Sequence, residues 1–144
     1  MSASADLPRH SVSVTGIVLR GDGNILAIKR MDDGRWVPPG GVLELDEHPH
    51  DGVIREVLEE TGVRIEVERL TGVYKNMKLG VVSLAFLCRP VGGQAGPSTE
   101  ASKVEWVLPT EVASMMPEAR AIRVLDALSD GGPYVRIHDG SVLL

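Results

Sequence analysis

Residues 40–63 read GGVLELDEHPHDGVIREVLEETGV: a Gly-Gly turn, an acidic loop, and a short helix that carries Arg55, Glu56, Glu59 and Glu60 in its last two turns. Gly62 stands where a left-handed C-cap glycine ends such a helix. At about 100° per residue, Glu56, Glu59 and Glu60 share one arc, with Arg55 at its border. Val53, Ile54, Val57, Leu58 and Thr61 take the other side, which predicts an amphipathic helix whose acidic side faces outward. Glu56 precedes Glu59 and Glu60 at spacings where like charges repel. One arginine cannot neutralise three carboxylates. A hard divalent cation such as Mg²⁺ can, since it takes oxygen ligands and bridges carboxylates to phosphates. Taken alone, the three glutamates would also fit a solvated acidic face; their surroundings favour the metal.

Gly41, Glu47, Arg55-Glu56, Glu59-Glu60 and Gly62-Val63 stand at the spacings of the Nudix box, with every defining position filled. The chain therefore resembles a Nudix hydrolase, and a pattern with so many fixed positions is far more specific than a lone GxGxxG. Two neighbouring positions are less usual for the family. Asp46 replaces a common glycine, and Gly52 replaces a small helix former such as alanine. Gly52 should weaken the helix by about 1 kcal/mol and loosen its junction with the loop.

The 144 residues suit one domain with a single core, residues 11–144 behind a flexible tail at 1–10. A hydrophobic content of 43% argues against disorder, and a net charge of −5 argues against nucleic-acid binding through a basic surface. The lone Cys88 lies in an apolar run and reads as a buried strand thiol, not a nucleophile. No apolar run reaches membrane-span length, and MSASADLPRH lacks the apolar region of a signal peptide, which points to the cytoplasm and away from a membrane.

Along the chain, Ser11–Arg20 predicts a strand, Gly21-Asp22-Gly23-Asn24 a turn, and Ile25–Lys29 the returning strand of a hairpin. Trp36-Val37-Pro38-Pro39 leads stiffly into the box. Pro49 suits a first helical position behind His48, a poor N-cap. Arg64–Arg69 and Leu70–Lys75 read as two strands, Gly80–Cys88 as a central one, Gly92–Ser98 as a loop and Lys103–Leu108 as another strand. Ala121, Ile122, Leu125 and Leu128 give a second helix over Glu118–Leu128. Tyr134–Leu144 holds a short strand and a hairpin about Asp139-Gly140, and its apolar end leaves room for an intersubunit contact in a homodimer. Strands around two helices predict an α+β fold. The resemblance implies the Nudix fold, a mixed β-sheet sandwiched between α-helices, over roughly Ser11 to Leu128.

Cleaving a diphosphate bond with water requires charge neutralisation, in-line positioning and a base, and metal ions supply most of the first two. The resemblance implies Glu56 and Glu60 as direct metal ligands, Glu59 at the metal cluster, and the Gly40 carbonyl as a ligand in some members. It implies that Arg55 orients a box glutamate, for which a bidentate pair is the physical means. Glu47 becomes a partner near the metals. Glu100, after a glycine-rich loop, matches a further metal-binding or catalytic carboxylate of several members; otherwise it is a solvated loop residue. Glu59 and Glu100 are the candidates for the base. Mg²⁺ is the expected cofactor, with Mn²⁺ as a substitute.

Arg30, Arg35, Lys75 and Lys78 are the nearby cations for substrate phosphates, each alternatively a solvated surface charge. Tyr74, with Met77 beside it, is the aromatic expected at the pocket, whereas Trp36 and Trp106 should pack on sheets. His48 and His50 read as exposed loop residues, and His138 beside Asp139 fits turn chemistry equally well. The leading expectation is a metal-dependent pyrophosphohydrolase of a nucleoside diphosphate linked to another moiety, first a nucleoside or deoxynucleoside triphosphate. A nucleotide sugar such as ADP-ribose comes second, because the proline that follows the box in many ADP-ribose enzymes is absent from Lys75–Gly80. A tyrosine that marks many dinucleoside polyphosphate hydrolases is also displaced here, to Tyr74. A non-catalytic nucleotide sensor fits less well, since every box carboxylate is retained.

Overall fold

The computed structural model describes residues 6–144. The frayed tail expected over 1–10 falls partly on residues 1–5, outside that range; residues 6–10 are exposed. In chain order the elements are β1 (Ser11–Val18), β2 (Ile25–Arg30), β3 (Trp36–Val37), β4 (Gly40–Val42), α1 (Pro49–Thr61), β5 (Val63–Asn76) and β6 (Val81–Gly93). They continue with β7 (Ala101–Val107), α2 (Pro109–Met115), α3 (Glu118–Ala127) and β8 (Tyr134–His138).

Two sheets form, a mixed one of order β4-β1-β6-β5-β8 and a three-stranded one of order β3-β2-β7. In the mixed sheet β1 runs parallel to β6, and β5 parallel to β8. The apolar strand β6 is central, as its hydrophobicity predicts for a strand covered on both faces. The pleat divides the core in two. Val14, Val18, Phe86 and Cys88 point to one side and pack with Val53 and Val57 of α1. Ile17 and Leu87 point to the other side and pack with Val112, Ala121 and Val124 of α2 and α3. The mixed sheet is thus held between helices, the layered arrangement expected from the resemblance.

Several local expectations are corrected. β1 and β2 do not form a hairpin: they lie in different sheets, with the isolated bridge Leu19–Ile25 at the turn between them. The turn reverses the chain, but β1 finds its partners in β4 and β6. The two strands expected over Arg64–Lys75 are one strand, whose register against β6 shifts at bulges. Pairing also carries β6 on to Gly93, into the segment read as loop. Helix α2 carries little periodic signal in the sequence: it is about two turns long, and Val112 is its buried residue.

His48 is a functional cap after all, its Nδ1 accepting the His50 N–H at 3.0 Å. Gly52 does not loosen the junction: a Cβ there would meet Leu43 Cδ1 at 2.5 Å and Glu47 Oε1 at 3.0 Å. The helix gives up alanine's propensity so that the acidic loop can lie against it. Cys88 is buried, and burial pushes its thiol up to about 12, so it is inert as a nucleophile. Trp36 and Trp106 pack against the core as expected. Leu125 is 42% exposed; the buried face of α3 instead carries Arg123 and Asp126. Among the described residues no helix is long and apolar enough to cross a membrane.

Candidate active site

The open end of the mixed sheet leaves a cavity of about 720 Å³ between β4, α1, the Thr99–Glu100 loop and α3. Its acidic end is built by α1. The expectation that all three glutamates face outward is wrong: Glu56 and Glu60 are buried, and only Glu59 points to solvent. The side of α1 that carries Glu56 and Glu60 is laid against Gly40-Gly41, which is not the expected turn but the start of strand β4, paired to β1. Gly40 N–H donates to Glu60 Oε1 at 2.8 Å, and a Cβ on Gly41 would collide with the Glu56 carboxylate. These glycines permit a close approach that no other residue would.

Glu100 completes the group. Its loop is fastened by Met31 N–H, which donates to the Glu100 carbonyl at 2.9 Å. Carboxylate oxygens of Glu56, Glu60 and Glu100 all lie within 4.8 Å of one another. Burial, above all, raises the pKa of Glu60 to about 8, with Glu56 and Glu100 adding to the effect against the Gly40 N–H. Burial also raises Glu56, despite its bond to Arg55. Two buried carboxylates and an exposed third, short of positive charge, fit a hard divalent cation, which would restore the buried pair to its charged form.

Arg55 is the brace. Its Nε donates to Glu47 Oε2 at 2.7 Å and its Nη2 to Glu47 Oε1 at 2.9 Å, a bidentate pair. Its Nη1 reaches Glu56 at 3.0 Å and Glu59 at 3.3 Å, and its Nη2 also reaches the Val42 carbonyl at 3.3 Å. Arg55 holds the Glu47 carboxyl down at about 2, and Glu47 raises Arg55 in return. Glu59 thus stands outside the three-carboxylate group, connected to it through Arg55. Arg55→Lys keeps the charge but loses the fork. Metal affinity and kcat/KM are both expected to fall by about 10- to 100-fold, and unaltered metal titration of the variant would refute the brace.

The residues expected to meet substrate divide. Arg30 lines the cavity, although it is tied to Asp32 at 2.6 Å. Arg35, Lys75 and Met77 are not among the lining residues. Tyr74 is a correction: it is 0% exposed, and its hydroxyl donates to Asp126 Oδ2 at 2.8 Å. Its place on β5 turns the ring under α3, away from the opening. The cavity is also lined by residues that sequence reading did not single out: Arg120 and Arg123 of α3, Asn76, Ser83 and Thr15. His138, read as turn chemistry, accepts Gly140 N–H as such chemistry requires, yet it also lines the cavity. An available signal was Arg123 between Ala121 and Val124, a charge on the face of α3 that packs inward.

A NUDIX domain family model matches residues 9–128. The chain belongs to the Nudix family. A MutT-like protein of Streptomyces ambofaciens is 58% identical over 137 residues, covering 95% of this chain and 89% of that protein. A Bacillus subtilis protein described provisionally as an 8-oxo-dGTP diphosphatase is 33% identical over 111 residues, covering 76% and 74%. A solved structure titled as an ADP-ribose pyrophosphatase from Streptococcus suis superposes with a TM-score of 0.72 at 23% identity, covering 90% of this chain and all of that one. As a Nudix hydrolase, this chain cleaves a phosphoric anhydride bond. The family acts on small nucleotide substrates and generally uses divalent metals.

Proposed function

We propose that this Nudix hydrolase is a Mg²⁺-dependent pyrophosphohydrolase of nucleoside or deoxynucleoside triphosphates, with residues 11–144 as its catalytic unit. The observation that carries the proposal is the Glu56–Glu60–Glu100 group, two buried carboxylates met by an exposed third, on the wall of a cavity large enough for a nucleotide. The Bacillus subtilis relative supports the triphosphate class by its name. Glu56, Glu60 and Glu100 would hold the metal, with the Gly40 carbonyl and Glu59 beside them. Bound there, Mg²⁺ would neutralise phosphate oxygens and polarise the bond to be cut; Mn²⁺ would substitute.

The chain's own residues do the rest. Arg55 fixes the carboxylates, and Glu47 fixes Arg55. Arg30 stands at the cavity to meet a phosphate. Glu59 or Glu100 accepts the proton of the attacking water, whose oxygen bonds to phosphorus as the anhydride oxygen leaves. We place the protein in the cytoplasm, acting on free nucleotides and not on nucleic acid. Homodimer formation would use the exposed Val142 and Leu144 beside edge strand β8.

The test is a panel of nucleoside triphosphates and nucleotide sugars with Mg²⁺, followed by phosphate and pyrophosphate detection. Triphosphates are expected to give nucleoside monophosphate with the highest kcat/KM. Preferential cleavage of ADP-ribose would reject the triphosphate assignment, and binding without turnover of any compound would turn the reading to a sensor.

A further inference from the structure

The polar side chains of the cavity wall are largely committed to one another. Arg123, 2% exposed, donates both Nη1 hydrogens, to Thr15 Oγ1 at 3.1 Å and Ser83 Oγ at 3.0 Å, and its Nη2 lies 3.3 Å from the buried His138 ring. Asn76 Oδ1 accepts Lys78 N–H at 3.0 Å and Leu79 N–H at 3.1 Å. Arg30 is clamped to Asp32 through Nε at 2.9 Å and Nη2 at 2.6 Å.

Arg120 is the exception. It stands in the first turn of α3, lines the cavity and is half-buried. Among the described residues its guanidinium donates to no acceptor and pairs with no carboxylate. Arg123 Nε is the one buried side-chain polar atom without a partner there, so the unpaired nitrogens of Arg120 all keep accessible surface. Nearby acids are spent elsewhere. Glu118, in the same turn, accepts Leu143 N–H at 2.7 Å. Asp33 accepts Arg35 N–H at 3.0 Å and lies 3.7 Å from Arg30 Nε. Burial first, then the charges of Arg30 and Arg35, push the pKa of Arg120 down against the opposing pull of Asp33. The turn itself adds to the misfit, because the first turn of a helix favours negative charge and this one carries an arginine. An enclosed cation among like charges is costly until an anion joins it.

We propose that Arg120 is a substrate-binding residue that takes the phosphate chain of the nucleotide from the α3 side of the cavity, while the carboxylates of α1 and Glu100 take the metal. Metal and arginine then hold different oxygens of one chain, so its number of charges becomes the feature selected. A triphosphate keeps an anionic group for Arg120 after the metal has taken its share, whereas the distal half of a nucleotide such as ADP-ribose ends in a neutral sugar. The inference rests on the proposed nucleotide hydrolysis. It deepens that reading by naming the residue that would separate triphosphates from nucleotide sugars.

Inorganic tripolyphosphate, a chain with neither base nor sugar, is titrated calorimetrically into the protein in Mg²⁺, beside α,β-methylene-ATP. Both are expected to bind, the analogue more tightly. Arg120→Gln, checked for its melting transition, is expected to weaken both by about tenfold or more, the worth of a charged hydrogen bond. Arg120→Lys is expected to recover most of the loss, because an ammonium also holds phosphate as a point charge. A merely structural arginine would show no such rescue. Should the glutamine variant not fold, Arg120→Met takes its place and keeps the apolar stem. Unchanged affinity for tripolyphosphate in the folded variant overturns the inference, and so does a loss confined to the analogue, which would put Arg120 at the base or sugar. No binding of either compound by the parent overturns it as well. Tripolyphosphate binding more tightly than the analogue would make the occupant an inorganic chain and reject the nucleotide. Turnover separates this inference from the hydrolase reading. Unchanged binding with Mg²⁺-dependent turnover of triphosphates removes the subsite and leaves hydrolysis, whereas weakened binding in the variant, with no turnover by the parent, keeps the subsite and removes the triphosphate hydrolysis.

Discussion

Glu60→Gln is expected to give a folded protein that melts higher than the parent in the absence of metal and has lost about a hundredfold or more of its activity. The stability gain follows from the charge. In the fold, burial pushes the Glu60 carboxyl up to about 8, from an ordinary value near 4.5. A carboxyl raised in this way contributes stability that is present below about 4.5 and lost as pH rises through 8, because the unfolded chain ionises first. At pH 8 the metal-free protein therefore carries the penalty of a buried charge, which glutamine removes. Glutamine retains an Oε1 to accept the Gly40 N–H, so the seating of β4 on α1 should survive.

Mg²⁺ should reverse the order of stability. A ligand that binds only the folded state adds about 2.7 kcal/mol at a hundred times its dissociation constant, raising the parent's melting temperature. Glu60→Gln should show little of that rise. The measurement is a thermal melt of both proteins at pH 8, with and without metal, beside a turnover assay. A variant that melts lower without metal, or that responds to Mg²⁺ as the parent does, contradicts the buried-charge account.

Alanine at Gly40 and at Gly41 should fail in opposite ways. At Gly40 the added Cβ would run into the Val14 carbonyl oxygen and lie 3.0 Å from Thr15 Cα, both backbone. Backbone held in a sheet cannot step aside, so Gly40→Ala should destabilise by about 1–3 kcal/mol or more as β4 is forced away from β1. At Gly41 the obstacle is the carboxylate of Glu56, the far end of a flexible side chain. That carboxylate can swing away at small thermodynamic cost, but it then leaves the group formed with Glu60 and Glu100. Gly41→Ala should keep a melting temperature near the parent's and lose most of its turnover, whereas Gly40→Ala should lose stability first. Matching losses of stability in the two variants would show that the two glycines act only structurally.

The central strand could be read because an apolar run such as Val81–Cys88 is stable only when covered on both faces. Helix α1 could be read because its period, proline start and glycine cap agree. The false hairpin at Asp22-Gly23 marks a boundary: a turn fixes the reversal of the chain, not the partner of the strand that follows. Tyr74 marks another. In sequence it is an aromatic near the box among polar residues, and nothing local says that Asp126, far along the chain, takes its hydroxyl.

By itself the sequence determined the chemistry of the acidic end: which carboxylates and which arginine α1 offers, and that two glycines precede them. Helical periodicity and backbone permissiveness are local properties, carried by neighbouring residues. Only the tertiary structure decided that Glu56 and Glu60 are buried while Glu59 is not, and that Glu100 joins them. It alone brought Arg123 and His138 together on the wall of the cavity. Those meetings depend on sheet order and on the packing of α1 and α3 against opposite faces, long-range relations that no single segment encodes.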